Sequence, residues 1–333
     1  MQICVIPGDG IGPEVLGAAV CVLQALVPEV VLHEADAGWS TFEQQGAALP
    51  AATLAAARAV DAILFGAVAS PSHSVPGYRS PIVQLRRELD LYANIRPVVG
   101  LPGRTPVDLV VVRENTEGLY AGRERLEDEG ATAIAERVVT RRASQRIVQI
   151  ACELARQRAS ERGRPGRVTI VHKANVLRVS DGLFRETALE VTRAFPDLVI
   201  EEQLVDVAAM RLAQSPERFD VVVTTNLFGD ILSDVACIHG GGLGLAASSN
   251  LGDRQALFEP VHGAAPDIAG QGIANPLAAI TCVALLLTRQ GYREQATRLR
   301  NAIRQVQHDG PHTPDLGGTA RTELVTQAVM SLL

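Results

Sequence analysis

Continuous apolar runs bordered by Gly, Pro and Asp recur at residues 3–6, 62–65, 109–112, 168–171 and 221–224. Such runs predict strands covered on both faces. Between many of them the apolar positions take on helical spacing. Residues 14–26 carry them at 15, 16, 19, 22, 23 and 26, and 144–162 and 181–194 follow the same rhythm. This alternation predicts an α/β architecture with largely parallel sheets. The segment 101–106 holds Pro102-Gly103 and Pro106, and 240–244 is nearly continuous glycine, so both are expected crossings between domains. After the second crossing the pattern is mainly helical, at 276–288, 293–308 and 319–332, with no sheet of its own evident. The expected division is a larger discontinuous domain of residues 1–97 plus 241–333 and a smaller one of 98–240. No internal repeat or low-complexity segment interrupts it.

A chain of 333 residues fits that division, since a domain takes roughly 150 residues. A composition of 47% hydrophobic and 20% charged residues is ordinary for a globular protein. The net charge of -6 argues against a nucleic-acid or anionic-membrane binder. Met1-Gln2-Ile3-Cys4-Val5-Ile6 has no basic leader and turns at once, and the richest later apolar segment, 278–287, is far below a membrane span, so a soluble cytoplasmic protein is expected. Cys4, Cys21, Cys152, Cys237 and Cys282 lack CxxC spacing, which points to reduced thiols rather than a disulfide framework or zinc site. Of the 31 basic residues only Lys173 is lysine. Arginine stays protonated and lysine need not, so Lys173 stands out as a candidate for proton transfer.

Asp230 and Asp234 follow a predicted strand on an opening helix and share one face at i and i+4. Their mutual repulsion asks for a cation, and a hard ion such as Mg²⁺ or Mn²⁺ suits carboxylate oxygens. A solvated acidic face is the alternative. Asp206, after an apolar run, reads as a strand-end or capping Asp that gains weight only as a third ligand. Arg86, Arg96 and Arg113 lie near predicted strand ends or on a helix, and three such forks would suit a di- or tricarboxylic acid, although each alone also reads as a surface ion pair. Tyr120 is a candidate proton donor or an amphipathic core residue. Gly8-Asp9-Gly10-Ile11-Gly12-Pro13 lacks the third glycine of the Rossmann fingerprint, so a tight strand-to-helix turn is favoured. A second small-residue loop, 259–270, carries His262 and Asp267.

Together these segments resemble the β-decarboxylating dehydrogenases, the family of isocitrate, 3-isopropylmalate, homoisocitrate and tartrate dehydrogenases. The resemblance rests on the glycine turn and on Leu85-Arg86-Arg87, Arg96-Pro97, Arg113-Glu114-Asn115-Thr116-Glu117-Gly118-Leu119-Tyr120, His172-Lys173-Ala174-Asn175, Asp206, Asn226-Leu227-Phe228-Gly229-Asp230, Glu259-Pro260-Val261-His262-Gly263 and Ile273-Ala274-Asn275-Pro276. The matches run in order through essentially the whole chain.

The resemblance implies the isopropylmalate/isocitrate dehydrogenase-like fold, two α/β domains around a central cleft and not a Rossmann fold. The larger domain would bind the cofactor; the smaller would carry the metal ligands and dimer interface. It implies a homodimer or tetramer with shared active sites and a 3-substituted malate as substrate, and, as the charge already argues, no nucleic-acid or membrane partner is expected. Mg²⁺ or Mn²⁺ would be held by Asp230, Asp234 and, across the dimer, Asp206. Arg86, Arg96 and Arg113 match the clamp on the malate carboxylates, and Tyr120 the acid that protonates the enolate. Lys173 matches the base or relay lysine, with Asn175 near the nicotinamide. NAD would lie on Glu259, His262, Gly263, Ala264, Ala265, Asp267 and Asn275. Asp267-Ile268 replaces the Lys-Tyr pair of NADP-dependent isocitrate dehydrogenases, and an Asp repels a 2′-phosphate, so NAD is expected over NADP.

The C3 substituent would be read by the segment before Arg86. Ser80 matches the serine of isocitrate dehydrogenases, but Ile82 departs from their asparagine; Arg79 stands where isopropylmalate enzymes place a Glu. Ser80-Pro81-Ile82-Val83 followed by Leu85-Arg86-Arg87-Glu88-Leu89 most resembles homoisocitrate dehydrogenases of the aminoadipate route to lysine. Arg79, Ser80 and Val83 are therefore the expected specificity residues, with oxidative decarboxylation of homoisocitrate to 2-oxoadipate the expected reaction and isocitrate a second substrate. The alternatives are a 3-isopropylmalate dehydrogenase of leucine biosynthesis, with Ile82 and Val83 as the apolar pair, and a noncatalytic regulatory subunit. Against the last, Tyr120, Lys173, Asp206, Asp230 and Asp234 are all present.

Overall fold

The computed structural model describes residues 1–73, 75–103 and 106–333. Arg104 and Thr105, part of the expected crossing at 101–106, lie outside the described residues. The chain forms two compact units. The first holds Met1–Leu91 and Gly241–Leu333 with a short stretch at Leu101; the second holds Tyr92–Gly100 and the chain onward to Gly240. Arg96 therefore belongs to the second unit.

The first segment contains β1 (Gln2–Gly8), α1 (Gly12–Leu26), β2 (Val31–Glu34), α2 (Trp39–Gln45), α3 (Ala51–Ala59), β3 (Ala62–Ala67) and α4 (Pro81–Glu88). The second unit adds β4 (Ala93–Val99), β5 (Asp108–Glu114), β6 (Glu124–Glu127), β7 (Thr132–Ala135), α5 (Arg141–Arg162) and β8 (Arg167–His172). It continues with α6 (Ser180–Thr192), β9 (Val199–Leu204), α7 (Val205–Gln214), β10 (Val221–Thr224) and α8 (Asn226–Cys237). The return to the first unit contributes β11 (Ala247–Leu251), β12 (Ala256–Pro260), α9 (Leu277–Arg289), α10 (Arg293–Asp309) and α11 (Thr322–Met330).

In the first unit the strand order is β2-β1-β3-β12-β11, parallel except for the β11–β12 pair. Successive strand residues point to opposite faces. On β1, Ile3 and Val5 join the core under α1, α9 and α10, while Cys4 and Ile6 join the one with Leu85 and Leu91. Both faces are covered, which explains the uninterrupted apolar runs. The structure corrects one expectation here, because the returning segment does bring strands. β11 reads Ala-Ser-Ser-Asn-Leu, and its polar residues escaped an apolar-run criterion. They are nevertheless buried, with Ser248 donating to the Glu259 carbonyl and Asn250 to the Glu259 carboxylate.

The glycine turn after β1 is the tight turn expected. Gly10 has φ +59°, and a Cβ there would stand 2.0 Å from the Ala264 carbonyl oxygen, which accepts a hydrogen bond from Ile11 N. Glycine is required by both the backbone and the close approach.

In the second unit the order is β4-β5-β10-β8-β9, antiparallel only at β4–β5. Leu109, Val111 and Val222 pack under α7 and α8. α5 starts on the Thr140 side chain, which accepts from Ala143 N, and ends at Gly163 in the left-handed region. β6 and β7 form a separate antiparallel ribbon.

Candidate active site

Arg113 ends the apolar run of β5 and is 1% exposed. Its Nε and Nη2 donate to Asn226 Oδ1 at 3.2 and 2.8 Å, and its Nη1 pairs with Asp230 Oδ1. Arg96 points from β4 to the same helix. Its Nη2 lies 3.2 Å from Asp230 Oδ1, its Nη1 3.4 Å from Asp234 Oδ1 and 2.7 Å from Ser233 Oγ, and Asn94 accepts from its Nε. Two arginines thus answer the repulsion within the DxxxD pair. Tyr120 completes the group, its phenol donating to Asp230 Oδ2 at 2.8 Å while the Arg113 guanidinium sits 5.1 Å from its ring centre.

The titration of this cluster follows from its burial. Desolvation holds Tyr120 above its ordinary value, helped by the Asp230 carboxylate that accepts its proton and opposed by Arg113. Desolvation also raises Asp234, with Arg96 pulling it back and Asp230 pushing it further up.

Lys173 and Asp206 meet elsewhere in the second unit, with Nζ 2.5 Å from Oδ1. The hydrogen bond from Lys173 lowers the Asp206 carboxyl. Asp206 lies in the first turn of α7, where a carboxylate complements the helix dipole. Asn175, two residues past Lys173, is exposed. Within the chain, Asp206 is therefore joined to Lys173 rather than to the Asp230–Asp234 pair. Among the described residues, no group of three or more His, Cys, Asp or Glu side chains could hold a metal ion. The carboxylates present fit a hard divalent cation by donor chemistry, two on α8 and the 60% exposed Asp206 on α7.

In the first unit Arg86 is buried on α4, with Nη2 donating to Glu259 Oε1 at 2.8 Å. Glu259 also accepts from Asn250 Nδ2 at 2.8 Å. Ser80 occupies the N-cap position of α4 and Val83 stands one turn on, both partly exposed, with Arg79 exposed beside them. Ser80, Val83 and Arg86 follow i, i+3, i+6 spacing along the start of the helix, and Arg79 precedes it.

The loop expected to take a cofactor runs from Glu259 to Asn275. Gly263 has open space where a side chain would start, Ala265 adopts φ +38°, and Asp267 is exposed. Ala264 is buried against the glycine turn. His262 Nε2 is buried with no hydrogen-bond partner among the described residues, and desolvation holds this imidazole below its ordinary value. A ring nitrogen without a partner beside open backbone leaves a polar atom that a bound ligand could engage. Asn275 caps the start of α9, accepting from Leu277 N and donating to Asp315 at 3.0 Å. Sequence reasoning did not single out Asn226, Ser233, Asn250 or Asp315. Asn226 opens the Asn226–Asp230 motif and Ser233 lies between Asp230 and Asp234, whereas nothing in the sequence marks Asn250 or Asp315.

The description that matches is the isocitrate/isopropylmalate dehydrogenase family, over residues 2–332. The chain belongs to that family. It is 51% identical to an isocitrate/homoisocitrate dehydrogenase of Thermus thermophilus, covering 100% of this chain and 98% of the relative. It is 48% identical to a 3-isopropylmalate/3-methylmalate dehydrogenase of Methanocaldococcus jannaschii, covering 96% and 95%. Among solved structures, isocitrate dehydrogenase from Methylococcus capsulatus superposes with a TM-score of 0.94 at 43% identity, covering 99% of this chain and 98% of that one. Both the family and the α/β fold expected from the motifs are thereby established, and the chain is an oxidatively decarboxylating dehydrogenase. Among the described residues no helix is long and apolar enough to cross a membrane.

Proposed function

We propose that the chain converts homoisocitrate to 2-oxoadipate and CO₂ with reduction of NAD, in the aminoadipate route to lysine, and accepts isocitrate as a second substrate. The observation that carries this reading is the start of α4, where Ser80, Val83 and buried Arg86 follow i, i+3, i+6 spacing and exposed Arg79 stands one residue before them. A hydroxyl and a cation at the start of the helix that bears the clamp arginine suit the longer carboxylate arm of homoisocitrate. The Thermus relative bears a name from the same substrate pair.

In this reading Arg86, Arg96 and Arg113 bind the malate carboxylates. Lys173 takes the proton of the C2 hydroxyl as hydride leaves C2, and Tyr120 gives its proton to C3 after the β-carboxylate departs. The raised pKa of Tyr120 suits that task, because the phenol stays protonated through neutral pH. Asp230, Asp234 and, from a second copy of the chain, Asp206 would hold Mg²⁺ or Mn²⁺, whose chemistry there is Lewis-acid stabilisation of the charge left by decarboxylation. The loop around His262, Gly263 and Asp267 would hold NAD, the hydride acceptor. In this reading Asp206 is shared between copies of a homodimer or tetramer, and the protein is cytoplasmic.

A second reading, 3-isopropylmalate as substrate, is favoured by the partly buried apolar pair Ile82 and Val83. The test of the shared chemistry is NADH formation by the purified chain alone with Mg²⁺ and homoisocitrate. One CO₂ and one 2-oxoadipate per NADH are expected. No NADH from homoisocitrate, isocitrate or 3-isopropylmalate would contradict the reading and point to a regulatory subunit.

A further inference from the structure

Asp181, at the start of α6, is 0% exposed, yet it is a carboxylate. A buried charge persists only where it is paired and hydrogen-bonded. Its two oxygens face two different partners. Oδ1 pairs with Arg137 Nη1, and Oδ2 accepts from the backbone amide of Lys173 at 2.6 Å. Arg137 in turn donates through Nη2 to Thr225 Oγ1 at 2.6 Å, and its guanidinium lies 4.7 Å from the centre of the Phe228 ring. Thr225 is the N-cap residue of α8 and Phe228 lies in its first turn.

One buried acid thus holds the backbone where Lys173 leaves β8, and through Arg137 ties that point to the origin of the helix bearing Asp230 and Asp234. We infer that Asp181, paired with Arg137, is a positioning residue that fixes the Lys173 backbone and so aims its amine. This rests on the proposed role of Lys173 in proton transfer. Asp181 itself is fully buried. Its carboxylate is better explained by the amide and guanidinium it serves than by stability, since a buried pair is on average no more stabilising than apolar packing.

Lys173 is the single lysine of the chain, so protein labelled with nitrogen-15 lysine gives one lysine amide cross-peak. The experiment compares the wild type with Asp181→Asn, which keeps the shape and an acceptor oxygen but loses the charge, and with Asp181→Ala. The expected result for Asp181→Asn is a shifted Lys173 amide with hydrogen exchange accelerated about tenfold or more. The same variant should lose about ten- to a hundredfold in kcat, as for a misaimed reacting group, with KM for the malate substrate within about twofold. Should Asp181→Ala fail to fold, the asparagine variant decides alone. A lowered Tm with an unmoved lysine amide, or with kcat retained below that Tm, would overturn the inference and leave Asp181 a structural acid. If the wild type turns over no 3-substituted malate, the functional reading fails, while the amide exchange still decides whether Asp181 tethers Lys173.

Discussion

Tyr120 and Asp230 share a hydrogen bond of 2.8 Å from the phenol oxygen to Oδ2, while the other oxygen of Asp230 faces Arg113 and Arg96. The proposed proton donor and the proposed metal ligand therefore act on each other. The carboxylate fixes the phenol's direction and, with desolvation, keeps its proton in place.

Replacing Tyr120 by Phe removes that donor and little else from the packing. We expect kcat to fall about a hundredfold or more, the usual range for a lost general acid, with the substrate KM changed far less. Because burial and Asp230 raise the phenol, the kcat profile of the wild type should show no alkaline loss from Tyr120 below the ordinary tyrosine value of about 10. Steady-state kinetics across pH check both statements.

Gly229 faces Arg113 so closely that an added Cβ would stand 2.6 Å from the arginine Cβ and Cγ. In an ordinary helix interior Gly→Ala gains about 1 kcal/mol. Here overpacking of about 1–3 kcal/mol opposes it, and the arginine atoms nearest the backbone have little room to yield. Gly229→Ala is expected to lower stability in urea melts and to raise the substrate KM by displacing Arg113.

Glu259 and Arg86 form a buried ion pair, and Glu259 also receives Asn250. Removing one member of such a pair leaves the other charge unpaired, at a cost of about 3–5 kcal/mol. Glu259→Ala should therefore be strongly destabilised by chemical denaturation. Glu259→Gln should retain more stability, because its amide oxygen still accepts. If Glu259 works through Arg86, Gln raises the KM for the malate substrate more than that for NAD.

The sign for His262 is set by desolvation, which depresses its folded pKa below the unfolded value of about 6.5, against a smaller upward pull from Asp315. The unfolded chain takes up the proton first, so this stability is present above pH 6.5 and is lost as pH falls toward the folded pKa. His262→Gln should flatten that acid dependence of Tm, measured between pH 5 and 8 with a conservative surface His variant as control.

The motif residues were visible because each follows an apolar run that burial on both sheet faces enforces: Arg113 at the end of β5, Lys173 after β8, Asp230 after β10. β4 and β11 were not visible. Asn94, Arg96 and Pro97 break the first, and Ser248, Ser249 and Asn250 the second; Arg96 is held by α8, and Ser248 and Asn250 by Glu259 on the neighbouring strand. Asp181 escaped for the same reason. In sequence it is an acid opening a helix, and only the fold sets Arg137 and the Lys173 amide against its two oxygens. The spacing of Asp230 and Asp234 asks for a cation without showing that Arg96, from a strand more than a hundred residues away, pairs with both.

The most direct test of the account is kcat/KM for homoisocitrate, isocitrate and 3-isopropylmalate with NAD and Mg²⁺ on the same preparation. The account predicts that homoisocitrate leads, isocitrate follows, and NADP substitutes poorly for NAD. A lead for 3-isopropylmalate would contradict the assignment and make Ile82 and Val83 an isopropyl pocket.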